Sequence, residues 1–259
     1  MPWDKRILII AGACLLLVMA AAPAGAEDGA RGSLWQDAYA GILAGTGRLS
    51  NTIIDIDGFA NWGHPGSTLE YDTSGMIGGA FAGRRFAFRG VNLRYELEWM
   101  VGNLSASTDA LDPTCPDEVA ATRIPWTLAG RFGVEDRIGA VRLFAVAGPA
   151  LARIVNSVTD TDFSGSCLEG QLRFDADDSF RRESTRAGWT LGFGLETDMT
   201  PMWVLRVDGA YFDFGSQRYR VNLSGNNTCG PGGPHAPCTY SIGNRMAALR
   251  VAVIYRFGR

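Results

Sequence analysis

Charged side chains recur on alternating positions inside otherwise apolar segments of this 259-residue chain. Between residues 91 and 101, Arg94, Glu96 and Glu98 alternate with apolar and aromatic side chains. An isolated buried ion is very costly, so charges that share an enclosed face must pair with one another. This pattern predicts either a structural network of ion pairs or a narrow, gated path for ions. The candidate residues are Arg94, Glu96, Glu98, Arg131, Glu196, Arg206, Asp208 and Arg250.

Residues suited to catalysis are few. The chain has two histidines, His64 and His235, and neither falls at the end of a predicted strand, where a rigid nucleophile and base would be expected. The sequence also lacks a phosphate-binding loop and a dinucleotide fingerprint. We therefore expect no enzymatic activity, no catalytic residues and no cofactor.

Four cysteines lie in predicted loops: Cys115, Cys167, Cys229 and Cys238. Passage through an oxidising compartment favours disulfides, and four cysteines allow three pairings. Because Cys229 and Cys238 flank a short Pro/Gly segment, we prefer that pair, which leaves Cys115 with Cys167. No CxxC motif occurs, so a metal site is not expected.

Acidic clusters at residues 55–57, 160–162 and 175–178 could bind calcium or bridge to lipopolysaccharide through divalent ions. None has the spacing of an EF-hand loop, so solvated loops are the preferred interpretation.

A period of two in hydrophobicity separates two faces only on a β-strand. Eight segments are read as strands: 37–49, 75–87, 91–101, 124–134, 141–156, 187–196, 203–214 and 246–257. The fifth segment is apolar on both parities, so its inward face is left open. Pro149 within it suggests a bulge.

The connections alternate between long and short, which is typical of an outer-membrane barrel with periplasmic turns and extracellular loops. We predict an all-β, eight-stranded antiparallel up-and-down transmembrane β-barrel with short periplasmic turns and four long extracellular loops. A water-soluble sandwich would not need segregated loop lengths or aromatic residues near strand ends. The residues expected to face lipid are Leu93, Tyr95, Leu97, Trp99, Trp189, Leu191, Phe193, Trp203, Leu249, Val251, Val253, Tyr255 and Phe257.

Residues 1–26 have the basic start, apolar core and small-residue end of a secretory signal peptide. Residues 27–36 are read as a lead-in and residues 37–259 as the barrel domain. The signal carries Asp4, Lys5 and Arg6, so its removal changes the net charge from −3 to −4. A mildly acidic chain gives no support for nucleic-acid binding.

Three motifs carry a family resemblance: GWTLGFGLETDMTPMWVLRVDGAYFDFG at residues 188–215, WTLAGRFG at 126–133 and the ending VIYRF. They resemble the OmpA-like porin superfamily, in particular the small outer-membrane proteins of Alphaproteobacteria. The sequence departs from that pattern at Asp208, where the family often has Glu, and in the two residues that follow the final aromatic.

The resemblance implies export through the periplasm to the outer membrane of a Gram-negative bacterium. It also implies recognition of the last strand by the barrel-assembly machinery and contact with outer-membrane lipid and lipopolysaccharide. We expect a structural or surface-interaction role in the cell envelope, without a peptidoglycan-binding domain. Two alternatives stay open: a low-conductance porin-like channel for small solutes, and an adhesin or ligand-capturing surface protein. The sequence leaves the ligand and the oligomeric state undetermined.

Overall fold

Eight antiparallel strands form one closed barrel in the computed structural model, which describes residues 37–56, 65–108, 118–160, 180–221 and 238–257. Each strand pairs with its neighbours in sequence, and β1 pairs with β8 to close the sheet. This confirms the predicted fold class. The strands are β1 (Ala38–Asp55), β2 (Thr68–Phe88), β3 (Val91–Ser107), β4 (Glu118–Ile138), β5 (Val141–Asp160), β6 (Phe180–Asp198), β7 (Trp203–Val221) and β8 (Cys238–Arg256).

The two ends of the barrel differ in the length of their connections. At one end, called the turn end, residues 89–90, 139–140 and 199–202 join the strands. Arg89 and Gly90 have φ angles of 49° and 82°, which suits a two-residue hairpin turn with positive φ at both positions. At the other end, called the loop end, the connections span residues 56–67, 108–117, 161–179 and 222–237.

Every strand extends further toward the loop end than the sequence pattern predicted. For example, β1 continues to Asp55 instead of ending at Leu49, and β6 begins at Phe180 instead of Ala187. In these extensions most outward side chains are polar, so the alternation between an apolar and a polar face is lost. The inward side chains nevertheless remain packed, as Asn51 and Ile53 are both buried. The predicted loops were therefore too long.

The fifth strand, whose faces the sequence left open, has a clear inward side. Phe144 and Val146 are buried in the lumen, whereas Leu143 and Leu151 are exposed on the outer wall. Small residues follow Val146 on the inward positions, where alanine and glycine leave room for the side chains of other strands. Both faces of β5 are apolar because one faces lipid and the other packs inside.

The bulge predicted at Pro149 is not there. β4 keeps one register against β5 from residue 126 to residue 138, a stretch that spans the position of Pro149. Pro149 lies on the exposed outer face, and its only effect on the strand ladder is the loss of the hydrogen bond that its own N–H would donate. The register shifts instead between Arg123 and Trp126, so the bulge surrounds Pro125 of β4.

The residues expected to face lipid lie on the parity opposite to the buried charges. Large exposed side chains on this outer wall are Trp189, Leu191, Phe193, Trp203, Leu249, Val251 and Val253. Leu93, Tyr95, Leu97, Trp99, Tyr255 and Phe257 share the outward parity and are half-buried against their neighbours. Among the described residues, no helix is long and apolar enough to cross a membrane.

Candidate functional site

The inward faces bring all eight predicted charged residues into the lumen near the turn end. Each of them is at most 3% exposed. Alternation places three of them on consecutive inward positions of β3 (Arg94, Glu96, Glu98), and the others come from β4, β6, β7 and β8. With four further residues described below, they form what we call the ionic cluster: Tyr39, Arg85, Arg94, Glu96, Glu98, Arg131, Glu135, Arg142, Glu196, Arg206, Asp208 and Arg250.

Glu96 lies at the centre of this cluster. Its Oε1 accepts hydrogen bonds of 2.6 Å from both Arg94 Nη2 and Arg206 Nη2, and one of 2.7 Å from the Tyr39 hydroxyl. Its Oε2 accepts a 2.8 Å bond from Arg131. One carboxylate thus joins guanidinium groups from β3, β4 and β7 to a phenol from β1, which satisfies the lone pairs of a fully buried anion.

Toward the loop end, the cluster continues through Glu98. Arg131 bridges Glu96 and Glu98, because its Nη2 donates to both carboxylates. Arg250 Nη1 donates to Glu98 Oε1 at 2.6 Å, and its Nε donates to Asp208 Oδ2 at 3.0 Å. The charged groups of β3, β4, β7 and β8 are thereby connected.

Toward the turn end, Glu196 receives four cations. Its Oε1 lies 2.8 Å from Nη2 of both Arg94 and Arg206, and its Oε2 interacts with Arg85 and Arg142. Charge-assisted hydrogen bonds of this kind are stronger than neutral ones. Through Glu196 of β6, this part of the cluster connects β2 and β5 to β3 and β7.

Four members of the cluster were missed by the sequence reading: Tyr39, Arg85, Glu135 and Arg142. Glu135 was placed in a turn, yet it accepts from Arg85 at 3.1 Å and lies 3.3 Å from Arg142. Parity could have found it, because residue 135 is four positions after the inward Arg131. Arg142 was hidden by the undetermined faces of β5. Tyr39 gave no signal, since an aromatic residue suits the lipid face equally well.

The ionic cluster contains six arginines and five carboxylates, an excess of one positive charge. Aromatic faces offset part of this excess. The guanidinium carbons of Arg94 and Arg206 lie 4.2 Å and 4.3 Å from the ring centres of Phe144 and Phe81. The quadrupole of an aromatic ring attracts a cation most strongly when both are away from water.

An apolar layer fills the lumen next to the ionic cluster on its loop-end side. It is formed by Ile77, Met100, Leu104, Ile124, Phe212 and Met246, all buried. A cavity lined by five of these side chains, all except Phe212, has a volume of only about 10 Å³. That is barely the space needed for one water molecule.

A second polar layer lies above the apolar one, and we call it the amide layer: Asn51, Tyr71, Thr122, Asn156, Tyr219 and Asn244. Asn156 is its centre, since its Nδ2 donates to the Tyr219 hydroxyl at 2.8 Å and its Oδ1 accepts from Thr122 at 2.6 Å. Asn244 Nδ2 donates to Asn51 Oδ1 at 2.9 Å. Most of these residues lie in segments that the sequence pattern predicts as loops, so this layer could not be predicted from the sequence.

The other candidate sites fall mostly outside the described residues. These include His64, His235, Cys115, Cys167 and Cys229, while Cys238 begins β8 with its side chain not described. Asp55, predicted to lie in a solvated acidic loop, instead ends β1 and is buried. Within the described ranges, no group of three His, Cys, Asp or Glu side chains could hold a metal ion.

The cluster has the chemistry of a structural site. Its acids are engaged by arginines, and a carboxylate held this way is a poor base because protonating it would break several charge-assisted bonds. What the arrangement does is cross-link the wall. Every strand contributes at least one member, from Tyr39 of β1 to Arg250 of β8.

Comparison with known proteins agrees with this architecture. Residues 12–232 match the family described as outer membrane protein beta-barrel domain. The 31 kDa outer-membrane immunogenic proteins of Brucella melitensis biotype 1 and Brucella suis biovar 1 are each 26% identical over 194 residues, covering 71% of this chain and 72% of the relative.

Among solved structures, the outer membrane protein OprG from Pseudomonas aeruginosa matches with a TM-score of 0.50 and 12% identity. The match covers 85% of this chain and 97% of OprG, so the two proteins share a fold. The family match spans most of the sequence and includes the first seven strands of the barrel. The chain therefore belongs to the outer membrane protein beta-barrel domain family and is an integral outer-membrane protein of a Gram-negative bacterium.

Proposed function

We propose that this protein is a closed barrel with a structural and surface-interaction role in the outer envelope. The ionic cluster is the observation that carries the proposal. Eleven charged groups from β2 to β8, together with Tyr39 of β1, fill the lumen and join all eight strands. An eight-stranded barrel is only wide enough for its side chains to fill it.

Closure of the lumen follows from the energetics of the cluster. A solute on its way through would have to separate pairs such as Arg206–Glu96 and Arg250–Glu98, both at 2.6 Å. Leaving one partner of a buried pair uncompensated costs about 3–5 kcal/mol. The apolar layer adds a second barrier, because beside the Thr127 hydroxyl it offers few groups that could replace the hydration of an ion.

Planar-bilayer recording of the refolded protein tests this proposal. We expect no steady unitary conductance from the native sequence. The variant to compare with it is Arg131→Ala, which removes the bridge between Glu96 and Glu98. If the ionic cluster closes the lumen, this variant should show brief openings more often than the native protein. Steady unitary conductance from the native protein would contradict the closed barrel and favour the alternative, a low-conductance channel for small solutes.

An adhesive or ligand-capturing role is the second candidate, and the four long connections at the loop end favour it. Both Brucella relatives are named as immunogenic outer-membrane proteins, which fits exposed surface loops. Deleting residues 161–179 or 222–237 one at a time and measuring attachment of whole cells would test it. Loss of attachment with one deletion and an intact barrel would support the adhesin.

We also propose a narrower classification of the chain. The motif at residues 188–215 supports placement in the OmpA-like porin superfamily among alphaproteobacterial proteins, and the Brucella relatives agree with it. We further propose that the barrel-assembly machinery recognises β8, whose outward Val251, Val253 and Tyr255 precede Phe257. We propose no catalytic activity and no cofactor, since the described polar lumen is committed to structural pairing.

The predicted disulfides would brace the loops of such a surface protein. Peptide mapping under non-reducing conditions should yield a fragment that links Cys229 to Cys238. Free thiols at these positions would contradict the pairing.

A further inference from the structure

Backbone pairing between β6 and β7 stops halfway along the two strands. Their last pair toward the loop end is Trp189 opposite Asp213. Both strands continue beyond this point, β6 back to Phe180 and β7 on to Val221. β6 stays paired with β5 over this stretch, and β7 with β8 from residue 216 onward. We call the unpaired stretch, residues 180–188 and 214–221, the seam.

A bulge explains why the two strands part. The register of β7 against β8 shifts between Asp213 and Ser216, and Gly215 has a φ of 66°. The Gly215 amide donates to Asp213 Oδ1 at 2.7 Å. Bulges of this type, with glycine in the left-handed conformation, bend the strand that carries them. β7 therefore changes direction at the point where its pairing with β6 ends.

Side chains connect the two edges of the seam in place of the backbone ladder. Arg186 Nη2 donates to the carbonyl oxygen of Ser216 at 3.1 Å, and the rings of Phe180 and Tyr219 stack with centres 4.9 Å apart. In an antiparallel sheet, every second residue directs both its N–H and its C=O toward one neighbour. The seam therefore presents backbone donors that no strand pairing satisfies within the described residues.

The unpaired backbone groups also indicate where the seam lies relative to the membrane. Unpaired strand edges do not face hydrocarbon, because their polar groups would find no partner there. Trp189 and Tyr211, whose ring centres are 5.5 Å apart, lie immediately below the seam on the outer wall. Aromatic pairs of this kind mark the membrane–water interface. The seam thus lies at the level of the lipid headgroups, on the side of the long loops.

The outer rim of the seam is basic. Arg181, Arg218 and Arg220 are exposed, and no described acidic side chain forms a salt bridge with any of them. Glu183, on the same outer face of the seam, accepts from Arg153 at 2.7 Å, and the positive charge of Arg181 also attracts its carboxylate. Arg218 and Arg220 are therefore available to an external anion.

We propose that the seam binds a phosphate group of lipopolysaccharide, the phosphorylated glycolipid of the outer leaflet. Guanidinium groups match phosphate in geometry and bind it through paired hydrogen bonds. Backbone N–H groups of an open edge add donors, as they do in other anion-binding concavities. This proposal rests on the outer-membrane location of the protein and does not require that the lumen is closed. A failed lipid-binding test would therefore leave the closed barrel standing, and a conducting barrel would leave the lipid site standing.

The test compares two variants of the refolded full-length protein. Arg218→Gln/Arg220→Gln removes two seam arginines. Arg84→Gln/Arg89→Gln removes two arginines near the turn end and gives the same change in net charge. Binding of lipopolysaccharide, and of the same lipid after enzymatic dephosphorylation, is measured by native mass spectrometry. Thermal unfolding and circular dichroism establish that each variant is folded.

Loss of the seam arginines should weaken binding of intact lipopolysaccharide at least about tenfold, while the turn-end variant should bind within about twofold of the native protein. Dephosphorylated lipid should bind the native protein about as weakly as intact lipid binds the seam variant. Equal binding of intact and dephosphorylated lipid, or unchanged binding by the seam variant, would overturn the proposal. Displacement of the lipid by inorganic phosphate at equal concentration would show a free-phosphate site and overturn it as well.

Discussion

The turn-end and loop-end halves of the barrel use polar residues in opposite ways. Near the turn end, charges fill the lumen and apolar side chains cover the outer wall. Near the loop end, amides, hydroxyls and the buried Asp55 lie in the lumen, whereas most charged side chains lie outside. The difference follows from the solvent. A wall that faces lipid can carry charge only on its inner side, where each ion must find a partner, whereas a wall that faces headgroups and water can carry charge outside.

Removing the central carboxylate should have the largest effect on stability. Glu96→Gln would leave Arg94, Arg131 and Arg206 with one anionic partner fewer in a fully buried site. We expect a loss of about 3–5 kcal/mol in the free energy of unfolding. Urea unfolding of the barrel in lipid vesicles measures it. Glu70→Gln, on the exposed loop-end wall of β2, is the control and should change stability by under about 0.5 kcal/mol.

A charge placed on the outer wall tests the same contrast from the lipid side. Leu97→Arg should cost about 2–4 kcal/mol if Leu97 lies near the bilayer midplane. Ser105→Arg, on the outward parity of the same strand but near the loop end, should cost less than about 1 kcal/mol. Equal costs for the two substitutions, measured by unfolding in vesicles, would show that the hydrocarbon region extends to the loop end.

The same contrast explains how much of each half could be predicted from the sequence. The ionic cluster was largely foreseen, because Arg94, Glu96 and Glu98 alternate with residues that must face lipid. Asn51 and Asn244 of the amide layer were assigned to loops, since polar and apolar residues are mixed on both faces of their strands there. The pairing of particular arginines with particular acids was not foreseen either, because it depends on the stagger of strands around the barrel.

Disrupting the amide layer should have a smaller effect than disrupting the ionic cluster. Asn156→Ala would remove one hydrogen bond from Thr122 and one from Tyr219, and it would take away the donor to Asn244 Oδ1. Thr122 would keep Tyr71 as a partner, and Tyr219 would keep Gln217. The groups left behind are uncharged, so we expect a cost of about 1–3 kcal/mol for unsatisfied buried polar atoms. Hydrogen exchange should show the loss of protection concentrated in the loop-end halves of β1, β4 and β8. Uniform loss along the strands would mean that the two layers are one cooperative unit.

The exposed salt bridge between Arg48 and Asp72 should contribute least of all. Its Nε–Oδ2 distance is 3.0 Å, as short as many bonds in the ionic cluster, but both side chains are about half exposed or more, at 65% and 49%. Water already solvates both ions, so a double-mutant cycle with Arg48→Gln and Asp72→Asn should give a coupling of about 0–1 kcal/mol that falls with added salt. A coupling of several kcal/mol that is insensitive to salt would mean that this part of the wall is as dehydrated as the lumen. The contrast between the two halves of the barrel would then rest on something other than solvent.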